Sequence, residues 1–155
     1  MYSQFPRSST ELRSKFSKDG VETASNARII TLCYDRLDRD LLEARNAIAA
    51  GDHYASNNAL AHAQDLIGAM AEMVDVTMWD HSGSLLAVYD YLLRLLAVAN
   101  AEKADSLVAQ AQQLVEELGE AFRTAAATAS STATQAAAEP GTEGSDPAPR
   151  VSVQA

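Results

Sequence analysis

Between Ser84 and Asn100 the apolar residues recur at spacings of three and four, and the pattern is wider than one helix needs. At about 100° per residue, Leu85, Tyr89, Leu92, Leu96 and Ala99 form one stripe of a helix. Leu86, Val88, Leu93 and Leu95 widen that stripe to about half the circumference, beyond the apolar arc of roughly 100° that an ordinary core-facing helix carries. This excludes a strand, whose faces alternate with period two, and the surplus calls for something to cover it.

The same spacing recurs in three further segments. Ser25 is an N-cap type residue, and from it to Gly51 the residues Ile30, Cys33, Tyr34, Leu37, Leu41, Ala44 and Ile48 make a stripe. Arg36, Asp38, Arg39 and Glu43 face water, and Ile29, Leu32 and Leu42 fall outside the stripe. Asp52 is placed to cap a second helix to about Thr77, with Ala59, Leu60, Ala63, Leu66, Ile67, Met70, Met73 and Val74 on its apolar arc. Trp79 to Gly83 breaks the pattern with turn chemistry. A fourth helix starts at Glu102 or Ala104 and reaches Ala125, with Leu107, Val108, Ala111, Leu114, Val115, Leu118, Ala121 and Phe122 inward. Seven Gly, four Pro and few β-branched runs leave little material for a sheet. Four amphipathic segments with short links predict an all-α chain, an antiparallel up-down-up-down four-helix bundle over residues 23–125. Residues 1–22 read as a partly mobile arm in which Phe16 and Val21 are the residues expected to dock. Residues 126–155, rich in Ala, Ser and Pro, read as a disordered tail from about Thr128, with a turn or two of helix before it.

Charge narrows the function classes. A net charge of -9 offers no basic face for phosphates, so no nucleic-acid partner is expected. The lone Cys33 permits no internal disulfide and reads as an inert core thiol. No apolar run approaches the roughly 20 residues of a membrane span, and the first residues lack a signal-peptide core, so a cytosolic protein without membrane insertion is expected.

Catalytic chemistry finds no foothold. His62 in the segment ALAHAQ resembles the phosphoacceptor of four-helix phosphotransfer modules, the alternative reading of this chain. Those modules follow the histidine with a nearby Lys and Gly, whereas Ala63, Gln64 and Asp65 follow here, and Asp65 would repel a phosphorylated imidazole. A di-iron site needs Glu-x-x-His pairs, and Ala50, Ala59 and Met78 stand three residues before the histidines. Glu116 and Glu117 sit on a solvated face. No enzyme activity, metal or cofactor is expected.

Several segments carry a family resemblance: Val21-Glu22-Thr23-Ala24-Ser25, Leu32-Cys33-Tyr34-Asp35-Arg36-Leu37, Ile48 through Asp52, Ala59 through Ile67, and above all Val88-Tyr89-Asp90-Tyr91-Leu92-Leu93-Arg94-Leu95-Leu96 ending at Ala99-Asn100. Their order and spacing over Phe16 to Phe122 resemble the flagellin export chaperones, the FliS family. The chain departs from that pattern at Asn26 for a frequent Pro, Phe16 for Tyr, Phe122 for Trp, and Asp80 to Gly83 for a more Gly-rich turn. The resemblance implies a cytosolic chaperone that binds the disordered C-terminal segment of flagellin, blocks premature assembly and presents the subunit to the flagellar export gate. It also implies a client wound around the bundle in apolar grooves, part of which the N-terminal segment covers when they are empty. A weak homodimer is a further expectation. Phe16, Val21, Ile29, Leu32, Leu86, Tyr89, Tyr91, Leu93, Leu95 and Asn100 are the expected partner-binding residues, with Tyr89 nearest the core and Asn100 bonding locally.

Overall fold

The computed structural model describes the backbone of residues 9–138 and the side chains of 26–135 and 138. The described residues form four helices, α1 (Ser9–Ala49), α2 (His53–Glu72), α3 (Ser82–Glu102) and α4 (Asp105–Ala138), with no strand among them. Each packs on two others, α1 on α2 and α4, and α3 on the same two.

The links follow from local chemistry. Gly51 has φ +70°, a conformation that a residue without Cβ enters at little cost, and it turns the chain after α1. Asp52 then caps α2 by accepting from the Ala55 N–H at 2.9 Å. Lys103 ends α3 in the left-handed region at φ 52°. Its ammonium is tied to the side-chain oxygens of Asn57 and Asn100.

Three boundaries differ from expectation. α1 starts at Ser9 instead of near Ser25, so residues 9–22 of the expected arm are helical, while 1–8 lie outside the described residues. No Pro follows Pro6 until Pro140, and the isolated Gly20 costs a helix only about 1 kcal/mol relative to Ala. α2 stops at Glu72, so Val74 is not helical, and Met73 is 48% exposed. α4 runs to Ala138, ten residues past Thr128, because alanine is the strongest helix former; the hydroxyls of Thr128, Ser130, Ser131, Thr132 and Thr134 find acceptors in carbonyls four residues back, so they do not compete for the helix backbone from outside it. Pro140, which cannot continue a helix, follows closely. Residues 139–155 lie outside the described residues.

The α3 stripe is buried throughout: Leu85, Tyr89, Leu92, Leu96 and Ala99 are at most 8% exposed. Tyr34, Leu37, Leu41 and Ala44 from α1, Leu60, Ala63, Ile67 and Met70 from α2, and Val108, Ala111 and Val115 from α4 meet it. Across this core the Tyr34 and Tyr89 hydroxyls form a buried hydrogen bond of 2.8 Å, which satisfies both polar tips. Ala121, expected inward, is exposed. Gly119 is the buried residue there, and a Cβ on it would lie 3.2 Å from the Tyr34 Cβ.

Length and composition alone make α3 long and apolar enough to cross a membrane, contrary to the expectation that no segment qualifies. Here its stripe is spent on α2 and α4 instead, and Asp90 and Arg94 pair on its outer face at 2.6 Å.

Candidate functional site

α1 carries a second line of residues beside its core stripe: Ile29, Cys33, Arg36 and Asp40, at spacings of four, three and four. This flank meets α2. Ile29, Leu32, Cys33 and Arg36 from α1 and His62 and Leu66 from α2 line an open cavity of 540 Å³. Ile29 and Leu32 remain 44% and 54% exposed there.

Behind Arg36 and His62 of the cavity wall sits a buried acid. Asp40 is 1% exposed, and its two oxygens are taken separately by Arg36 Nη2 at 3.0 Å and His62 Nδ1 at 2.6 Å. A carboxylate only accepts, so His62 donates through Nδ1, and its ring is fixed with Nε2 turned away from the bond. His62 thus ties α2 to α1. Cys33 is half-buried on the cavity wall instead of in the core. Burial pushes its thiol above the ordinary range, which favours the protonated form.

The other expected partner residues divide among different seams. At about 100° per residue, Leu86, Leu93 and Asn100 share one flank of α3. That flank faces α2, because Gln64 Nε2 donates to the Leu93 carbonyl at 3.3 Å. Tyr91 and Leu95 share the opposite flank with Val88 and Val98. That side faces α4, where Gln110 donates to the Tyr91 hydroxyl at 3.0 Å. Leu86, Leu93 and Leu95 are half-buried, and Tyr91 is 45% exposed. Tyr89 is 1% exposed and bonded to Tyr34, a position for packing the core instead of for touching a partner. Asn100 accepts locally from Lys103 at 2.7 Å. Phe16 and Val21 belong to the helical backbone of α1, and their side chains are outside the described residues.

The seam between α1 and α4 has a different character. Arg45 pairs with Asp105 at 2.8 Å, Gln112 donates to Asp38 at 2.9 Å, and Arg123 reaches Asp35 at 3.3 Å. A cleft of 610 Å³ opens on this side as well, where Asp35, Asp38, Arg39, Glu116, Glu120 and Arg123 surround the buried Tyr34 and Val115 with charge. No group of His, Cys, Asp and Glu among the described residues could hold a metal ion.

The profile of the family described as Flagellar protein FliS matches residues 9–129, which takes in the whole of the core and both seams of α1. The chain belongs to the FliS family. Membership implies a flagellar chaperone role, and FliS proteins are not an enzyme family. No individual curated protein matches the chain.

Arg36, Asp40, His62 and Leu66 were not among the expected site residues. The spacing Ile29, Cys33, Arg36, Asp40 was the available signal, since it marks a continuous second flank on α1. Nothing in the sequence said that His62 would meet Asp40.

Proposed function

We propose that this FliS protein is a cytosolic, flagellin-specific export chaperone that binds the disordered C-terminal segment of flagellin, prevents premature polymerisation and assists delivery to the flagellar export apparatus. The observation that carries this reading is the open apolar cavity between α1 and α2, with Ile29 and Leu32 about half exposed in it. Fully burying such a side chain is worth about 1.5 to 3 kcal/mol, so covering the exposed halves of both supplies about 2 kcal/mol. A client that folds as it binds gives up about 2 to 5 kcal/mol or more in ordering. One cavity therefore does not hold the client alone. A segment that also covers Leu86 and Leu93 on the α2 side of α3, and Tyr91 and Leu95 on the α4 side, gathers enough apolar contact by winding around the protein.

The arrangement that exposes three seams to one winding client is an antiparallel up-down-up-down bundle. Its support lies in the pairings Asp35 with Arg123, Asp38 with Gln112 and Arg45 with Asp105, in which α4 numbers fall as α1 numbers rise. Residues 23–125 form the chaperone domain in this reading, and 1–22, with Phe16 and Val21, cover part of the empty surface. Contact with the export gate and weak self-association through the same apolar surface belong to the proposal.

Titrating the full chain with a flagellin C-terminal peptide while following helix content by circular dichroism tests it. Saturable binding with a gain of helix is expected, and no saturable binding contradicts it. Deleting residues 1–17 removes none of the core residues described above and is expected to leave the thermal transition in place while changing peptide affinity.

A further inference from the structure

A second apolar surface lies at the turn between α2 and α3. Met73, Val76, Met78 and Trp79 fall within seven residues and are 48%, 61%, 81% and 45% exposed. The turn that carries them is built. Asp75 Oδ1 accepts from the Thr77 N–H at 2.8 Å and from its hydroxyl at 2.6 Å. The Ser82 N–H donates to the Trp79 carbonyl at 3.1 Å, and the Trp79 ring meets His81 edge-on at 5.9 Å. With the backbone of the turn held by these bonds, covering the four apolar side chains has to order their rotamers but not the chain that carries them.

Charge states the chemistry of what covers them. Between Gly68 and Tyr89 the chain has no Lys or Arg, while Glu72, Asp75 and Asp80 lie in or beside the turn. Glu72 and Asp80 bracket the four apolar residues and Asp75 lies among them. The Thr77 hydrogen bonds hold the Asp75 carboxyl below its ordinary range, so it is charged at neutral pH. An acidic surface with adaptable methionines and one aromatic ring fits a helix that is apolar on one face and rich in Lys or Arg on the other. A second copy with the same net charge of -9, or an anionic membrane, would be repelled.

We propose that the α2–α3 turn docks a basic amphipathic helix of a partner protein, through Met73, Val76, Met78 and Trp79 with Glu72, Asp75 and Asp80 around them. This surface is separate from the α1/α2 cavity and does not depend on the flagellin reading.

Trp79 is the single tryptophan of the chain, so its emission reports occupancy directly. The full chain is titrated with a synthetic amphipathic helix of leucine and lysine, and with a counterpart in which glutamate replaces lysine. The lysine peptide is expected to shift Trp79 emission to the blue saturably and to bind more weakly as salt rises, while the glutamate peptide is silent. Val76→Ser with Met78→Ser changes only exposed side chains and is expected to weaken binding by about tenfold or more, a loss of about 1.4 kcal/mol. Tyr54→Ser, at an equally exposed apolar residue elsewhere on α2, and Leu32→Asp, in the cavity, are expected to leave it unchanged. Equal binding by the double variant or by the glutamate peptide overturns the proposal. So does a blue shift produced by lipid vesicles or by self-association of the chain in place of the lysine peptide. Loss of flagellin-peptide binding in the double variant would merge the turn with the client surface and overturn it too.

Discussion

α1 packs on two neighbours, and its two seams are built in opposite ways. Towards α4 it is laced by Arg45–Asp105, Asp38–Gln112 and Asp35–Arg123, and charged side chains surround the cleft there. Towards α2 the cavity walls are Ile29, Leu32, Cys33 and Leu66, and the polar groups at its edge, Arg36 and His62, are engaged by the buried Asp40. Exposed ion pairs add little stability, but they make a seam unattractive to an apolar partner, which would have to desolvate them. Exposure by itself does not mark a binding surface. Leu42 is 48% exposed and Leu32 is 54% exposed, yet they lie on different flanks of one helix. What surrounds an exposed leucine decides what it offers.

The largest expected effect on stability lies on the α4 side. Gly119→Leu places a side chain where even a Cβ meets the Tyr34 Cβ at 3.2 Å, and overpacking of this kind costs about 1 to 3 kcal/mol. Chemical denaturation reads the loss. If the seam towards α4 serves only stability, the variant that remains folded still binds the client peptide.

Next comes the hydroxyl pair behind both seams. Tyr34→Phe strands the buried Tyr89 hydroxyl at a cost of about 1 to 2 kcal/mol, whereas Tyr34→Phe with Tyr89→Phe removes both polar groups and restores most of it. Burial, with the hydrogen bond between the hydroxyls, raises the Tyr34 pKa, and burial raises that of Tyr89. The folded state therefore holds these protons more tightly than the unfolded state, whose tyrosines titrate at about 10. Their contribution is complete below about pH 10 and is lost as pH rises further, so wild-type stability falls there. The double phenylalanine variant is expected to show a flatter alkaline limb in denaturation measured across that range.

The smallest effect belongs to the seam towards α2. His62→Ala removes one of two partners of the Asp40 carboxylate and leaves Arg36, for a loss of about 1 kcal/mol. Nuclear magnetic resonance of the His62 ring checks the geometry: a proton on Nδ1 facing Asp40 is expected, and a ring carrying its proton only on Nε2 would break the assignment.

The core was legible because helical burial follows a period, and every residue of the stripe from Leu85 to Ala99 is buried as its spacing requires. Helix ends were less legible. Ser25 has the chemistry of a cap, yet nothing between Ser9 and Ser25 breaks a helix strongly enough to make that cap necessary. The Ala-rich stretch after Arg123 lacks apolar periodicity, which hid a helix sustained by alanine propensity. The site was legible one helix at a time. Ile29 and Leu32 stood out as off-stripe residues, but their grouping with His62 and Leu66, and the division of Leu93 from Leu95 between two seams, depend on which helix lies on which side. Spacing along one helix does not contain that information.

The most direct test of the difference between the seams is the flagellin-peptide affinity of Leu32→Asp set beside that of Leu42→Asp, two exposed leucines of one helix given the same charge. Leu32→Asp is expected to weaken binding by about tenfold or more, about 1.4 kcal/mol, with its thermal transition retained, while Leu42→Asp stays within about twofold of wild type. Equal affinities for the two variants would contradict the assignment of client binding to the α2 side of α1.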